Sequence, residues 1–280
     1  MSYRCYGAVG GKPVLALHGT PGSHLKFAAA ADTAAALGLQ LFAIDRWAYG
    51  RTDAPATPRL SDFSGEVAEY ADALGIGRFA VVGISGGGPF AAAVGVALGD
   101  RITALALVSP VGPIAGIAPR PHLRLFHRFT FEVLPNIPGV LPVLFTFLGS
   151  MAAWSPSLAT RLAAGVAQSS DKLIVREPAF ALSLGETFAV GLEKSALGPL
   201  IDMRLFGQPW NIDLAAVAAP TRLWFGSEDR NVPLDAIAAL AREIARGRAA
   251  PVVTELEGHG HFWIARNYDQ VLGWIAETVG

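Results

Sequence analysis

The stretch Phe79-Ala80-Val81-Val82-Gly83-Ile84-Ser85-Gly86-Gly87 decides the fold. Its apolar half favours a buried strand, and its glycines favour a sharp turn into a helix, because residues without a Cβ let the backbone fold back on itself. Ser85 lies on that turn, beside a helix N-terminus whose N–H groups stabilise negative charge. The G-x-S-x-G spacing is typical of a nucleophile elbow. Because the chain has 31 glycines in 280 residues, the pattern alone is also compatible with a glycine-rich turn and a passive serine.

Two apolar runs further along the chain end in the residues that a serine nucleophile needs, a carboxylate and then a base. The first run leads into Glu228-Asp229, and the second leads into His259 and His261. Both pairs follow the carboxyl end of a predicted strand, where open α/β sheets place their sites. The order serine, acid, histidine is the one expected on this type of scaffold.

Six motifs, taken together and in order, resemble those of α/β-hydrolase-fold serine hydrolases, in particular bacterial esterase-like members. They are an H-G-T-P-G-S loop, a D-R-x-x-Y-G-R segment, the serine elbow, a P-W-x-x-D-L segment, an acid loop and a histidine loop. They occupy His18–Ser23, Asp45–Thr52, Gly83–Gly88, Pro209–Leu214, Gly226–Pro233 and Gly260–Phe262. The resemblance runs from about Tyr6 to the end of the chain and is weakest in the middle third. It implies the α/β-hydrolase fold, a mainly parallel central sheet flanked by helices, with a helical cap insertion.

The resemblance also implies a role for each residue that matches a motif. Ser85 would be the nucleophile, Asp229 the acid and His261 the base. The backbone N–H groups of Thr20 and Gly86 would form the oxyanion hole.

Two of these assignments have a neighbour that competes, and one position departs from the family pattern. The spacing to the following Val-Pro pair favours Asp229 over Glu228, and the Gly-His-Phe context favours His261 over His259. A place at the pocket entrance or a role in stabilising the loop stays open for His259. Trp47 stands where relatives commonly have proline. It either narrows the mouth of the substrate pocket or packs its loop against the body of the protein.

Apolar runs alternate with helical stretches through most of the chain. Strands are predicted at Tyr3–Val9, Pro13–Leu17, Leu39–Asp45, Phe79–Ser85, Ile102–Pro110, Thr221–Asp229 and Val252–Glu257. Helices are predicted at Lys26–Leu37, Ser61–Leu74, Gly86–Leu98, Pro233–Arg246 and Tyr268–Val279. Such alternation with short connections predicts a mainly parallel sheet covered on both faces.

The alternation breaks in a stretch rich in proline, phenylalanine and leucine. We therefore predict a core domain of residues 1–111 and 213–280, and a helical cap insertion of residues 112–212 that excludes water and shapes the substrate pocket. Leu134–Trp154 carries no charge over 21 positions, long enough to raise the question of a membrane span. Its prolines would break the first turns, which favours a buried or pocket-lining cap helix and no stable membrane insertion.

Composition narrows the class of partner. The net charge of −1 gives no attraction to nucleic acid, and 52% apolar with 16% charged residues agrees with buried parallel strands. The single cysteine, Cys5, excludes an internal disulfide framework and a thiol metal site. The first residues lack the apolar region of a secretory signal, so we expect a cytoplasmic protein, monomeric or homodimeric, with no metal or organic cofactor.

The function implied by the resemblance is a carboxylesterase that cleaves a small or medium apolar ester through an acyl-enzyme. The same three residues also suit C–C bond hydrolysis, lactone opening and cofactor-free perhydrolysis, and the fold also serves ligand-binding receptors with little turnover. Serine at position 85 argues against enzymes of this fold that use an aspartate nucleophile.

Overall fold

A computed structural model describes residues 1–115, 125–163 and 169–280. Its strands are β1 (Tyr3–Gly7), β2 (Lys12–Leu17), β3 (Leu39–Ile44), β4 (Phe79–Ile84), β5 (Ile102–Val108), β6 (Thr221–Gly226) and β7 (Val252–Leu256). They form one sheet in the order β1-β3-β2-β4-β5-β6-β7, in which β1 is antiparallel to β3 and every other neighbouring pair is parallel. The predicted mainly parallel sheet is confirmed.

Helices cover both faces of this sheet. In the described ranges the α-helices outside the β5–β6 connection are α1 (Ala31–Ala36), α2 (Phe63–Ala73), α3 (Gly88–Ala97), α10 (Leu234–Ala245) and α11 (Tyr268–Thr278). One core cluster joins α2, α3 and α10 to one face of the sheet, and a second joins α1 and α11 to the other. Successive residues of β4 alternate between the two clusters, as Val81 and Val82 do, which explains why a strand buried on both faces is continuously apolar.

Element ends differ from the prediction where polar or glycine residues begin a turn. β6 ends at Gly226; the backbone N–H of Ser227 bonds to Leu256, the last residue of β7, and that of Glu228 bonds to His259 in the loop that follows. The helix predicted at Lys26–Leu37 starts as a 3-10 helix over His24–Ala30 before α1 begins.

The connection between β5 and β6 carries the remaining helices of the described residues, and we call residues 109–220 the insertion. These helices are α4 (Leu125–Arg128), α5 (Val140–Trp154), α6 (Pro156–Ala163), α7 (Ser169–Arg176), α8 (Pro178–Gly191) and α9 (Leu197–Gly207). The predicted cap insertion, residues 112–212, includes 116–124 and 164–168, which lie outside the described residues. Its division from the core domain stays a prediction.

The apolar stretch that raised the question of a membrane span forms α5. Its buried side includes Leu141 and Phe145, Leu144 lines a cavity, and Phe147 and Trp154 are exposed, so the expected buried or pocket-lining helix describes only part of its surface. Within the described ranges no single helix has the length and hydropathy to cross a bilayer. The segments Leu125–Asn136 and Val140–Trp154 pass such a test only as a pair, with a bend of 103° between them.

Candidate active site

Ser85 lies at the carboxyl end of β4, on the turn into α3. Its φ of 54° is in the left-handed region, which few residues other than glycine adopt without strain. The adjacent glycines are required by close approach: a Cβ on Gly83 would lie 2.6 Å from the Cβ of Ala91 and from the carbonyl oxygen of Gly87. The turn therefore holds the serine side chain above the edge of the sheet, as the sequence pattern predicts.

The structure brings Ser85, His261 and Asp229 into one line of hydrogen bonds. Nε2 of His261 lies 3.0 Å from Oγ of Ser85, and Nδ1 of His261 lies 2.7 Å from Oδ2 of Asp229. The other carboxylate oxygen of Asp229 accepts backbone N–H groups from Asn231, at 2.9 Å, and Val232, at 3.3 Å. Asp229 and His261 are both buried, so water competes little for these bonds.

The two residues that compete with this set lie elsewhere. Glu228 is exposed, and its carboxylate accepts a hydrogen bond of 2.9 Å from the hydroxyl of Ser170. His259 is also exposed, and its Nδ1 lies 2.8 Å from the carbonyl oxygen of Glu257. Of the two open interpretations of His259, this contact supports a residue that stabilises its loop. His259 is not among the described residues that line the cavity beside Ser85, and its placement at the pocket entrance stays a prediction.

The environment of His261 raises its pKa above the ordinary 6.5. Burial acts in the opposite direction, because desolvation disfavours the imidazolium. The negative charge and hydrogen bond of Asp229 outweigh it, and Asp171 adds to the same effect. The imidazole is therefore a stronger base than a free histidine, as a group that accepts a hydroxyl proton requires.

Asp171 is a functional candidate that sequence reasoning missed. It belongs to α7 of the insertion, and its two buried carboxylate oxygens accept the backbone N–H groups of His261, at 2.9 Å, and Phe262, at 2.8 Å. A Cβ on Gly260 would overlap this carboxylate. The insertion thus holds the histidine loop directly, and nothing in the sequence around Asp171 indicates that contact.

The loop His18–Ser23 packs against the elbow from the other side. A Cβ on Gly19 would lie 3.2 Å from the Cβ of Ser85, and the side chain of Thr20 fills the space that a Cβ on Gly86 would need. Thr20 and Gly86, predicted to supply the oxyanion donors, are therefore neighbours beside Ser85.

A buried polar cluster, the Asp202 cluster, holds this loop and consists of Thr20, Arg46, Tyr49 and Asp202. Asp202 belongs to α9, and its carboxylate accepts two hydrogen bonds from Arg46, at 2.6 and 2.8 Å, one of 2.7 Å from Tyr49 and a short one from Thr20. The guanidinium also donates to the carbonyl oxygens of His18 and Gly19. Sequence reasoning missed Asp202, because a lone acid in an apolar insertion gives no signal of its partners.

Trp47 does not narrow a pocket mouth. Its ring is 1% exposed, packs edge-on against Phe63 and Phe90, and donates from Nε1 to the carboxylate of Glu66 at 2.9 Å. Of the two interpretations left open, the structure supports packing of the loop against the body, and the tentative assignment to the pocket is wrong. The indole is buried because it packs into a cluster of aromatic side chains on this face of the sheet.

A cavity of about 430 Å³ opens above Ser85, between the sheet edge and the insertion. Ser85, His261, Thr20 and Gly86 contribute to its wall. The insertion contributes mainly apolar side chains, which are Phe126, Phe131, Leu144, Phe145, Leu184, Phe188, Met203 and Phe206. The volume lies within the range of about 300–1,000 Å³ that suits a small organic ligand. Within the described ranges, no group of three or more His, Cys, Asp or Glu side chains is arranged to hold a metal ion.

Comparisons with known proteins agree with this architecture. A family model described as the alpha/beta hydrolase fold matches residues 12–265. No curated protein sequence matches the chain significantly.

Three solved structures are similar over nearly the whole length. They are an alpha/beta hydrolase fold protein from Nakamurella multipartita (23% identity, TM-score 0.69), an esterase from Exiguobacterium antarcticum (16%, 0.67) and a bromoperoxidase from Bacillus anthracis (19%, 0.73). Each alignment covers 99% of this chain and 94% of the other. At these identities the similarity establishes the fold. Since the family model matches most of the chain, the protein belongs to the α/β-hydrolase fold family.

Proposed function

We propose that the protein is a serine carboxylesterase that cleaves small or medium esters with an apolar part. One observation carries the proposal: Asp229, His261 and Ser85 are joined by hydrogen bonds of 2.7 and 3.0 Å at the wall of an apolar cavity. The geometry suits transfer of the hydroxyl proton to a base that a buried carboxylate orients.

The first step is acylation of Ser85. With Nδ1–H of His261 donating to Asp229, Nε2 carries a free lone pair and accepts the proton of the Ser85 hydroxyl as Oγ attacks the ester carbonyl carbon. The tetrahedral intermediate collapses when the imidazolium returns this proton to the leaving alcohol. The acyl group then remains on Oγ of Ser85.

Two backbone N–H groups, from Thr20 and Gly86, stabilise the oxyanion of that intermediate. Both residues line the cavity beside Ser85, and one such donor typically lowers the barrier by about 3 kcal/mol. The Asp202 cluster keeps the Thr20 loop in place before the substrate arrives, so little reorganisation is needed during the reaction.

Water completes the cycle. His261 removes a proton from a water molecule that attacks the acyl carbonyl, and it returns this proton to Oγ of Ser85 as the carboxylic acid leaves. The predicted cap, residues 112–212, supplies the apolar side of the cavity and limits the access of bulk water to the acyl-enzyme.

Ester turnover by matched variants tests the proposal. Hydrolysis of p-nitrophenyl acetate, butyrate and octanoate is followed for the wild type and Ser85→Ala, with circular dichroism confirming that both are folded. We expect turnover of at least one ester by the wild type and loss of at least about 10³-fold in the variant, since no acyl-enzyme forms without the hydroxyl. Unchanged kcat in the folded variant would rule out Ser85 as the nucleophile.

A further inference from the structure

The cavity contains one feature that an apolar ester does not explain, the ammonium of Lys26. Among the described residues that line the cavity, Lys26 alone is a lysine, arginine, aspartate or glutamate. It lies on the 3-10 helix His24–Ala30, directly after the Thr20 loop. Its backbone is fixed at both ends, since its N–H donates to Ser23 at 3.0 Å and its carbonyl accepts from the hydroxyl of Tyr268 at 2.8 Å.

Lys26 has an aromatic neighbour but no counter-ion within the described part of the chain. Its Nζ lies 5.7 Å from the ring centre of Phe180, and no described carboxylate is within ion-pair distance of it. Burial lowers the pKa of Lys26 to about 8, so the amine remains mostly protonated at neutral pH. Lys26 is half-buried and keeps part of its hydration, and a bound anion would supply the counter-ion that the described residues do not.

The ammonium is close to the candidate catalytic residues. The ring of Phe180 lies 5.5 Å from the ring of Phe262, which lies 5.5 Å from that of His261. The positive charge of Lys26 acts to lower the pKa of His261, less strongly than Asp229 and Asp171 raise it. Lys26, Ser85 and His261 line the same cavity, so one ligand can contact all three.

Thr187 supplies an independent sign of a missing polar partner in the same cavity wall. It is 1% exposed, and its hydroxyl has no hydrogen-bond partner among the residues that the structure describes. It lies on α8, about two helical turns after Phe180. This helix contacts the 3-10 helix that carries Lys26. Buried hydroxyl groups almost always have a partner, so this one is available to a ligand.

We propose that the substrate is an ester with a carboxylate on its apolar acyl part, a monoester of a dicarboxylic acid, whose carboxylate binds Nζ of Lys26. This inference rests on the proposed function and specifies its substrate class. The apolar side chains of the insertion contact the methylene chain between the two ends, while Ser85 attacks the ester carbonyl. A carboxylate suits an ammonium because a hydrogen bond between two charged groups is stronger than one between neutral groups.

Kinetics with pairs of esters that have the same chain length but differ in charge test the assignment. Mono-p-nitrophenyl glutarate, adipate and pimelate are compared with their neutral methyl esters, using the wild type, Lys26→Met and Lys26→Arg. We expect the wild type to favour at least one anionic ester, and Lys26→Met to raise KM for that ester about tenfold or more while changing the neutral ester less than about threefold. Lys26→Arg keeps the charge and should retain most of the preference.

The same comparison defines failure. If Lys26→Met changes KM for the anionic and neutral esters by the same factor, or if the wild type favours the neutral ester at every length, the inference is wrong. Lys26 is then a structural contact of Phe180.

A binding measurement separates this inference from the proposed function. Isothermal titration of Ser85→Ala with monomethyl and dimethyl adipate needs no turnover. Preferential binding of the monoanion, lost in Ser85→Ala/Lys26→Met, supports the anion site even if the wild type hydrolyses no ester. Equal binding of both compounds overturns the anion site even if Ser85 proves to be the nucleophile.

Discussion

The ring of His261 is fixed at both nitrogens, by Asp229 on one side and Ser85 on the other. When the imidazole is neutral, only one arrangement of protons satisfies both contacts: Nδ1 carries the hydrogen and Nε2 accepts. The carboxylate of Asp229 enforces this tautomer because, when ionised, it can only accept. The proton transfer proposed for His261 therefore depends on the charge of Asp229 more than on its shape.

Asp229→Asn tests that dependence. The amide preserves size but presents a donor to Nδ1, which favours the wrong tautomer, so we expect kcat to fall by up to about 10⁴-fold. Glu228→Gln is the matched control, since Glu228 is exposed and, among the described residues, its carboxylate is hydrogen-bonded only to Ser170. It should keep kcat within about twofold. A loss below about tenfold in Asp229→Asn, or a larger loss in Glu228→Gln, would contradict the assignment.

The sequence indicates Ser85, Asp229 and His261 because each follows a strand, and the carboxyl ends of parallel strands meet at one edge of the sheet. Side chains whose direction depends on loop packing are not readable in this way. Trp47 turns into the aromatic cluster and His259 turns outward to its own loop, and the one-dimensional pattern contains neither direction.

Two helices of the insertion each place a buried carboxylate on a loop of the candidate site. Asp171 of α7 holds the backbone of the histidine loop, and Asp202 of α9 holds Arg46 and the Thr20 loop. At the scale of elements, the insertion is therefore a support for the reacting groups as well as a wall of the cavity. Breaking either contact should alter the reaction at Ser85 as well as the access of substrate to the cavity.

Asp202→Asn removes the charge that pairs with Arg46. Both side chains are buried, and leaving a guanidinium buried without its carboxylate typically costs about 3–5 kcal/mol of unfolding free energy. We expect a lower Tm by differential scanning calorimetry, and in the folded fraction a lower kcat because the Thr20 loop loses its anchor. Asp53→Asn, which removes an exposed ion pair to Lys194, is the control and should leave both quantities nearly unchanged. Equal effects of the two substitutions would contradict the role of the Asp202 cluster.

Asp171→Asn should shift the pH dependence of the reaction. The base form of His261 is required, and its pKa lies above 6.5, so kcat/KM should fall as the pH decreases through a value above 6.5. Removing the negative charge of Asp171 stabilises the imidazolium less, which lowers this pKa and moves the acidic limb to lower pH. Rates of the wild type and of Asp171→Asn, measured from about pH 5 to 9, locate the acidic limb of each. A limb at or below 6.5 in the wild type, or an upward shift in the variant, would contradict the electrostatic account.

The strands of the sheet and the helices that cover it are predictable from the sequence, because the spacing of apolar residues and the glycine turns agree with the final packing. The packing of the insertion is less predictable. Its apolar residues serve three surfaces at once, as on α5, where Leu141 faces inward, Leu144 lines the cavity and Phe147 is exposed. A sequence with this composition fixes the helical state but leaves open which face contacts the sheet.

The whole molecule combines a rigid sheet edge with a cavity formed against it by the insertion. The elbow, the histidine loop and the Thr20 loop lie on the sheet side, and the apolar wall lies on the insertion side. The candidate reacting groups therefore lie on the sheet side, and a substrate would contact the insertion with its apolar part. The proposed mechanism requires Ser85 to be an activated nucleophile in the folded protein.

Covalent labelling by a fluorophosphonate tests whether Ser85 is activated, because the probe reacts with a serine only where a base and an oxyanion site activate it. The native wild type, the heat-denatured wild type and Ser85→Ala are labelled in parallel, and the adduct is located by peptide mass spectrometry. The account predicts one adduct, on Ser85, in the native protein alone. A folded wild type without an adduct on Ser85, or Ser85→Ala labelled to the same extent, would contradict it.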